Sequence, residues 1–276
     1  MPLLLAGLSS FTFGVADFVG GFVTRRAPAI TVVWGSHLVS LCAVVAVAPL
    51  FSDGLAGEAE LGWGAAAGIA GSVGLVLFYH ALATTPAAVV APVAAIVGTS
   101  LPVVFGMIIG ERPEPVAWLG MALAVPALVL LPSGPRDRRL AARGVWLGVA
   151  TGVAFALFGI LISRTGTDSG LWPLASARVA SLLLLTIAGP VLRRPLVAPR
   201  SAWPLIAMAS LLDMAANILF LLAVRQELLS LVAVVMSLYP ASTIALARVV
   251  LGQRMSGRQI IGLMLAAGAV GVIALG

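Results

Sequence analysis

Ten apolar runs, most of them about twenty residues long, follow one another along the whole of this 276-residue chain with only short breaks between them. That repetition constrains the fold more than any other feature. The hydrocarbon core of a bilayer is crossed by roughly 20 apolar residues in a helix. A chain inside it has no water to satisfy its peptide groups, so each crossing segment must bond to itself as a helix or close into a barrel. The runs are continuous and do not alternate, which selects helix. They cover Pro2–Val23, Ile30–Phe51, Leu61–Ala83, Pro86–Ile109, Pro115–Leu131, Gly144–Ser163, Leu171–Leu192, Trp203–Val224, Leu228–Leu251 and Gly257–Leu275. The expectation is an all-α membrane protein of ten transmembrane helices. Only 9% of the residues are charged and 61% are apolar, whereas a soluble domain carries roughly a quarter charged residues. No extramembrane domain has room to form.

The same composition excludes several classes of function. All sixteen basic residues are arginine; they are scattered between apolar spans and form no stripe, so nucleic acid is not an expected partner. With no lysine there is no phosphate-binding loop of the Gly-x-x-x-x-Gly-Lys type, and ATP is not the energy source. Cys42 is the single cysteine, which excludes an internal disulfide framework. The start, Met1-Pro2-Leu3, has no basic segment before its apolar run, and reads as a first span that is retained. No cofactor is expected.

An internal repeat organises the spans. Displaced by 142 positions, Phe78–Leu131 lies on Phe220–Ile273 without a gap. Phe78 meets Phe220, Ser100 meets Ser242, Gly110-Glu111-Arg112 meets Gly252-Gln253-Arg254, and Gly120 meets Gly262. At a displacement of 141, His37 meets Arg178 and Pro49 meets Pro190. Residues 1–134 and 144–276 then form two five-helix repeats, joined by a short basic loop over 135–143. Because five is odd, the second copy enters the membrane from the opposite side, an inverted repeat of the kind seen in alternating-access carriers. Loop arginines divide eleven to three between the two faces, so the positive-inside rule places the 135–143 loop in the cytoplasm and both termini outside.

Leu82 with the Val90–Pro102 span, the turn Gly110-Glu111-Arg112, and their second copies Tyr239-Pro240, Gly252-Gln253-Arg254 and Gly262 resemble the drug/metabolite transporter superfamily, in particular its EamA-type ten-helix members. The resemblance covers nearly the whole chain and departs from the family pattern at Gln253, where an acidic residue is expected. It implies a transporter of metabolites, amino acids or drug-like solutes in a bacterial inner membrane, with a cavity lined by spans 1, 3, 4, 6, 8 and 9. Many relatives have cytoplasmic termini; the arginine distribution here argues the reverse.

Ionisable groups in mid-span are expensive and mark cavities or internal pairs. Asp17, His37, His80, Arg178 and Asp213 qualify. Ser210, Asp213 and Asn217 stand at i, i+3 and i+7, on one helix face. Asp213 is read either as a carboxylate for a cation or proton, or as the partner of Arg178 in an ion pair that orders the bundle. Asp17 is read as a functional carboxylate or as an interfacial one near Arg25 and Arg26. His37 and His80 are titratable groups or hydrogen-bonded packing residues. Arg248 is expected to snorkel to the interface. No grouping has metal-ligand spacing. Pro92 and Pro102 in the fourth span, and Pro240 after Tyr239 in the ninth, sit at repeat-related spans and are candidate hinges. Gly64/Gly68 and Gly148/Gly152 suit close packing inside the bundle. These residues point to a secondary transporter working by alternating access, monomeric or dimeric, with a proton as the candidate coupling ion. A membrane scaffold subunit and an intramembrane lipid-modifying enzyme are the alternatives. The enzyme lacks a visible nucleophile–base pair.

Overall fold

The computed structural model describes residues 2–24, 26–52, 54, 56–85, 87–130, 138–242, 246 and 257–275. Arg25, Arg136, Arg248, Gln253, Arg254 and residues 135–137 of the connecting loop lie outside the described residues. In chain order the α-helices are α1 Pro2–Val23, α2 Ala29–Val47, α3 Glu58–Thr84, α4 Ala87–Ile108, α5 Pro115–Leu130, α6 Arg138–Ser163, α7 Trp172–Val191, α8 Trp203–Val224, α9 Leu229–Met236 and α10 Gly257–Leu275. No strand occurs among the described residues. Among the described residues, seven helices are long and apolar enough to cross a membrane. The stretches Pro115–Ala127, Leu229–Ser242 and Ile260–Ala269 are shorter apolar helices. α6 starts at Arg138, within the stretch read from the sequence as a loop.

The helices sort their side chains by size. On α7 the ridge Leu183, Ile187 and Val191 faces outward, each more than 60% exposed. Such an apolar outer surface suits lipid, and the buried face of the same helix carries Ala177, Arg178 and Ser181. Since lipid is as apolar as leucine, the helices associate through backbone-to-backbone approach at small residues. Gly64 and Gly68 on α3 lie against the main chain of Pro173 and Ala177 on α7. Gly148 and Gly152 on α6 lie against the Val93 and Val97 side chains and the Val90 and Ala94 carbonyls of α4. Both glycine pairs therefore pack within the bundle.

The main packing pairs are kept when the two halves are exchanged. α1 packs on α8, and their repeat partners α6 and α3 pack together; α4 on α6 is matched by α9 on α1; α2 on α7 and α5 on α10 map onto themselves. This packing brings both halves around one centre.

The ninth span departs from a plain helix. α9 ends at Met236, Ser237 and Leu238 form a turn, and helix resumes at Tyr239. Pro240 has no N–H to give the Met236 carbonyl four residues back, and the Ser10 hydroxyl of α1 donates to that carbonyl at 3.1 Å. α4, by contrast, remains one helix with Pro92 and Pro102 inside it.

A methyl at Gly68 would sit 2.5 Å from Ala177 Cα, so Gly68→Ala is expected to destabilise the protein by about 1–3 kcal/mol. Gly62, two turns earlier on α3 with nothing within 4 Å of a Cβ, is the control: Gly62→Ala should be neutral or gain up to about 1 kcal/mol in helix propensity. Thermal unfolding in detergent compares the two.

Candidate functional site

The centre of the bundle holds a cavity of about 150 Å³. Its wall draws on both halves, with Phe13 and Asp17 from α1, Thr99 and Pro102 from α4, Phe155 and Phe158 from α6, and Asp213, Asn217 and Phe220 from α8. α9 and the turn after it contribute Leu229, Met236, Ser237 and Tyr239. The six spans implied by the family resemblance all contribute. α2 and α7 add His37 and Arg178.

A chain of polar side chains runs along one side. Arg178 Nη2 donates to Asp213 Oδ2 at 2.7 Å, and the two side chains are 6% and 14% exposed. Asn217 Nδ2 donates to the same carboxylate oxygen at 3.2 Å and to the Asp213 carbonyl at 2.7 Å. Arg178 Nη1 lies 3.2 Å from His37 Nε2. A guanidinium only donates, so His37 Nε2 must accept, and the proton sits on Nδ1, which faces the Ser181 hydroxyl. The ring is thereby held neutral in one tautomer. Ser181, His37 and Asp213 come together in space although 176 residues separate His37 from Asp213, but the arrangement is not a hydrolytic triad. The guanidinium stands between imidazole and carboxylate, so no carboxylate orients the ring or stabilises an imidazolium.

Asp17 is held differently. Among the described residues its carboxylate has no hydrogen bond and no ion pair, and it lines the cavity. Glycines around it permit this: Gly14 packs against Ser242 and the Tyr239 carbonyl, and Gly20 lies under the Tyr79 ring. Arg26, the nearby described cation, lies over the Phe22 ring at 5.4 Å instead.

The other sequence candidates separate. Tyr239 lines the cavity, with its ring edge-on to Phe78 at 6.2 Å. Pro102 lines it as well, while Pro92 and Pro240 are buried in helix packing away from the wall. Ser210 is fully buried and donates to the Ser36 carbonyl, joining α8 to α2 outside the cavity. His80 is exposed near the end of α3, 3.4 Å from Arg143 Nη2.

Residues not singled out by sequence reasoning complete the site. Phe158 and Phe220 stack at 6.3 Å, and Phe155 meets Phe78 at 5.9 Å. Phe13, one turn before Asp17, was the available signal, since residues four apart share a helix face. Glu111 is the other. Gly110 takes a φ of +95°, a conformation glycine adopts without strain, and turns the chain so that Glu111 reaches the second repeat. Its two carboxylate oxygens accept from the N–H groups of Leu229 at 2.8 Å and Ser230 at 3.0 Å, capping α9. Leu229 is itself part of the cavity wall.

Two sets of variants test these contacts by thermal unfolding. Asp213→Leu strands a buried guanidinium and should cost about 3–5 kcal/mol, while Arg178→Leu combined with Asp213→Leu should recover much of that loss. Glu111→Ala removes a charged cap that accepts two N–H groups and should cost about 1–2 kcal/mol.

A family model described as the EamA-like transporter family matches residues 1–132 and 142–275. No match emerges among the curated proteins. Among solved structures, one described only as a crystal structure of a protein superposes with a TM-score of 0.74 at 21% identity, covering 98% of this chain and 97% of the other; at that identity the likeness is one of fold. With the model matched across nearly the whole length in two copies, the chain belongs to the EamA-like transporter family.

Proposed function

We propose that this protein is a secondary transporter of a bacterial inner membrane, moving a small solute by alternating access through the cavity between its repeats. The observation that carries the reading is the composition of the cavity wall. Both halves supply residues to one small central chamber, and the chamber holds a polar network and a carboxylate with no partner among the described residues, in an otherwise apolar bundle. A carrier built from two repeats threaded in opposite senses keeps its site at their interface and alternates by exchanging the conformations of the two halves. The exchange-invariant helix packing supports such a relation, and ten crossings, five in each half, would generate it.

The unequal ninth and fourth spans supply a way to move. The turn at Ser237–Leu238, held by Ser10 at Met236, is the weak point of its span. Pro102 in α4 occupies the facing wall. Glu111 fastens the start of α9 to the end of α4, so opening the cavity there means releasing two hydrogen bonds to one carboxylate. Asp17 is the carboxylate left available for a coupling proton, because Asp213 is engaged by Arg178. With no lysine for a phosphate-binding loop, an ion gradient is the natural energy source.

Cysteine labelling tests the reading without knowledge of the solute. In a Cys42→Ser background, single cysteines replacing Thr99 and Ser237 should react with a membrane-impermeant maleimide in both right-side-out and inside-out vesicles. Val197→Cys, on an exposed loop of the arginine-rich face, should react only in inside-out vesicles if that face is cytoplasmic. Labelling of the cavity positions from one side alone would reject alternating access.

A further inference from the structure

We propose that the cavity selects small organic monocations, an ammonium group seated at Asp17 and a single-ring or similar apolar body against the surrounding phenylalanines. The inference rests on the transport reading for its biological meaning, but binding can be measured independently of movement.

Charge is the first argument. Among the described residues, the titratable and charged groups facing Asp17 from the packed helices are Asp213 on α8, Arg178 on α7, His37 on α2, and the phenols Tyr79 and Tyr239. Arg178 is neutralised by Asp213 at 2.7 Å, and His37 is held as the neutral acceptor of Arg178. Tyrosine is uncharged at neutral pH. Asp17 therefore has no counter-ion among the described residues. An anion would enter a chamber with two carboxylates whose single guanidinium is already engaged. With a neutral solute bound, Asp17 would hold a proton and gain no counter-charge, because a buried carboxyl group neutralises when it has none. An ammonium ion can take the place of that proton and keep the chamber neutral.

The second argument is the wall. Phe13 shares the helix face of Asp17, and Phe155, Phe158 and Phe220 line the same cavity. Aromatic faces attract cations, more strongly when water is excluded. They also favour an organic cation over a metal ion: a bare metal ion needs a shell of several oxygens, whereas Phe13, Phe155, Phe158 and Phe220 offer ring faces. No group of three or more His, Cys, Asp or Glu side chains suited to a metal is present among the described residues. Size is the third argument. An apolar cavity of about 150 Å³ accepts a molecule the size of benzene, and the chamber here is about 150 Å³.

Four ligands of one shape and different charge make the test: phenethylamine, 2-phenylethanol, 3-phenylpropionate and phenylalanine, titrated by calorimetry against the purified full chain in nanodiscs. Phenethylamine is expected to bind at least tenfold more tightly than the other three. Asp17→Asn should weaken phenethylamine at least tenfold and leave 2-phenylethanol unchanged, and Asp17→Glu should restore part of the affinity. Should the Asn variant fail to elute as a monodisperse species, the wild-type ranking decides alone. Phenylalanine binding as tightly as phenethylamine would overturn the proposal, pointing to the buried Arg178 Nε–H as a carboxylate seat. Equal binding of the alcohol or the acid, or no binding of the amine at millimolar concentration, would also overturn it. The outcomes are separable from the transport reading. Two-sided labelling without amine binding leaves transport standing and removes cation selection, whereas amine binding with one-sided labelling does the reverse.

Discussion

A guanidinium and a carboxylate buried side by side in the middle of a lipid-facing bundle organise this protein. Arg178 and Asp213 lie on consecutive long helices, α7 and α8, and neither tolerates the interior alone. Desolvation of two such charges is offset only by good geometry and by further hydrogen bonds. Asn217 completes the carboxylate side and His37 the guanidinium side. The network thus ties α2, α7 and α8 together and uses up most of the polar capacity on its side of the cavity. What it leaves over, the carboxylate of Asp17 on α1, is the chemically distinctive feature of the chamber.

The network forms only because the helices around it come close. In lipid the hydrophobic effect does not press helices together, and contact depends on small residues that admit a neighbouring backbone. Gly64 and Gly68 do so for α3 and α7, Gly148 and Gly152 for α6 and α4, and Gly14 for α1 against the chain around Tyr239. The large apolar side chains go to the outside, as on the Leu183–Val191 ridge. The two halves are similar without being equivalent. His37 faces Arg178 across the repeat relation, and Glu111, whose counterpart is Gln253, is the acidic member of its pair. Glu111 caps α9 with a charge, and a glutamine is a weaker acceptor for helix N–H groups.

Much of this was legible in the sequence, for identifiable reasons. The apolar period marked the crossings, and the 142-residue displacement marked the two halves. Mid-span charge marked Asp17, Arg178 and Asp213 because a charge in lipid has few affordable places. The pairing itself was not legible: Asp213 read equally well as a proton site and as the partner of Arg178. Ser210 shares a face with Asp213 and still serves helix packing, since a helix face three residues wide touches both a cavity and a neighbour. His80 fits the mid-span pattern and lies exposed beside Arg143, because α3 extends only one turn past it. The phenylalanines of the wall were hidden among many apolar residues of equal appearance.

The sequence by itself determined that the chain crosses lipid as helices, that it is doubled, and which few residues carry charge into the interior. Those properties follow from local solvation, which each segment meets alone. Tertiary structure decided which charge is paired and which is left open, where the chain breaks before Pro240, and that Glu111 of one half caps a helix of the other. These depend on distances between residues far apart in the chain, and only the close approach of backbones at glycine sets such distances.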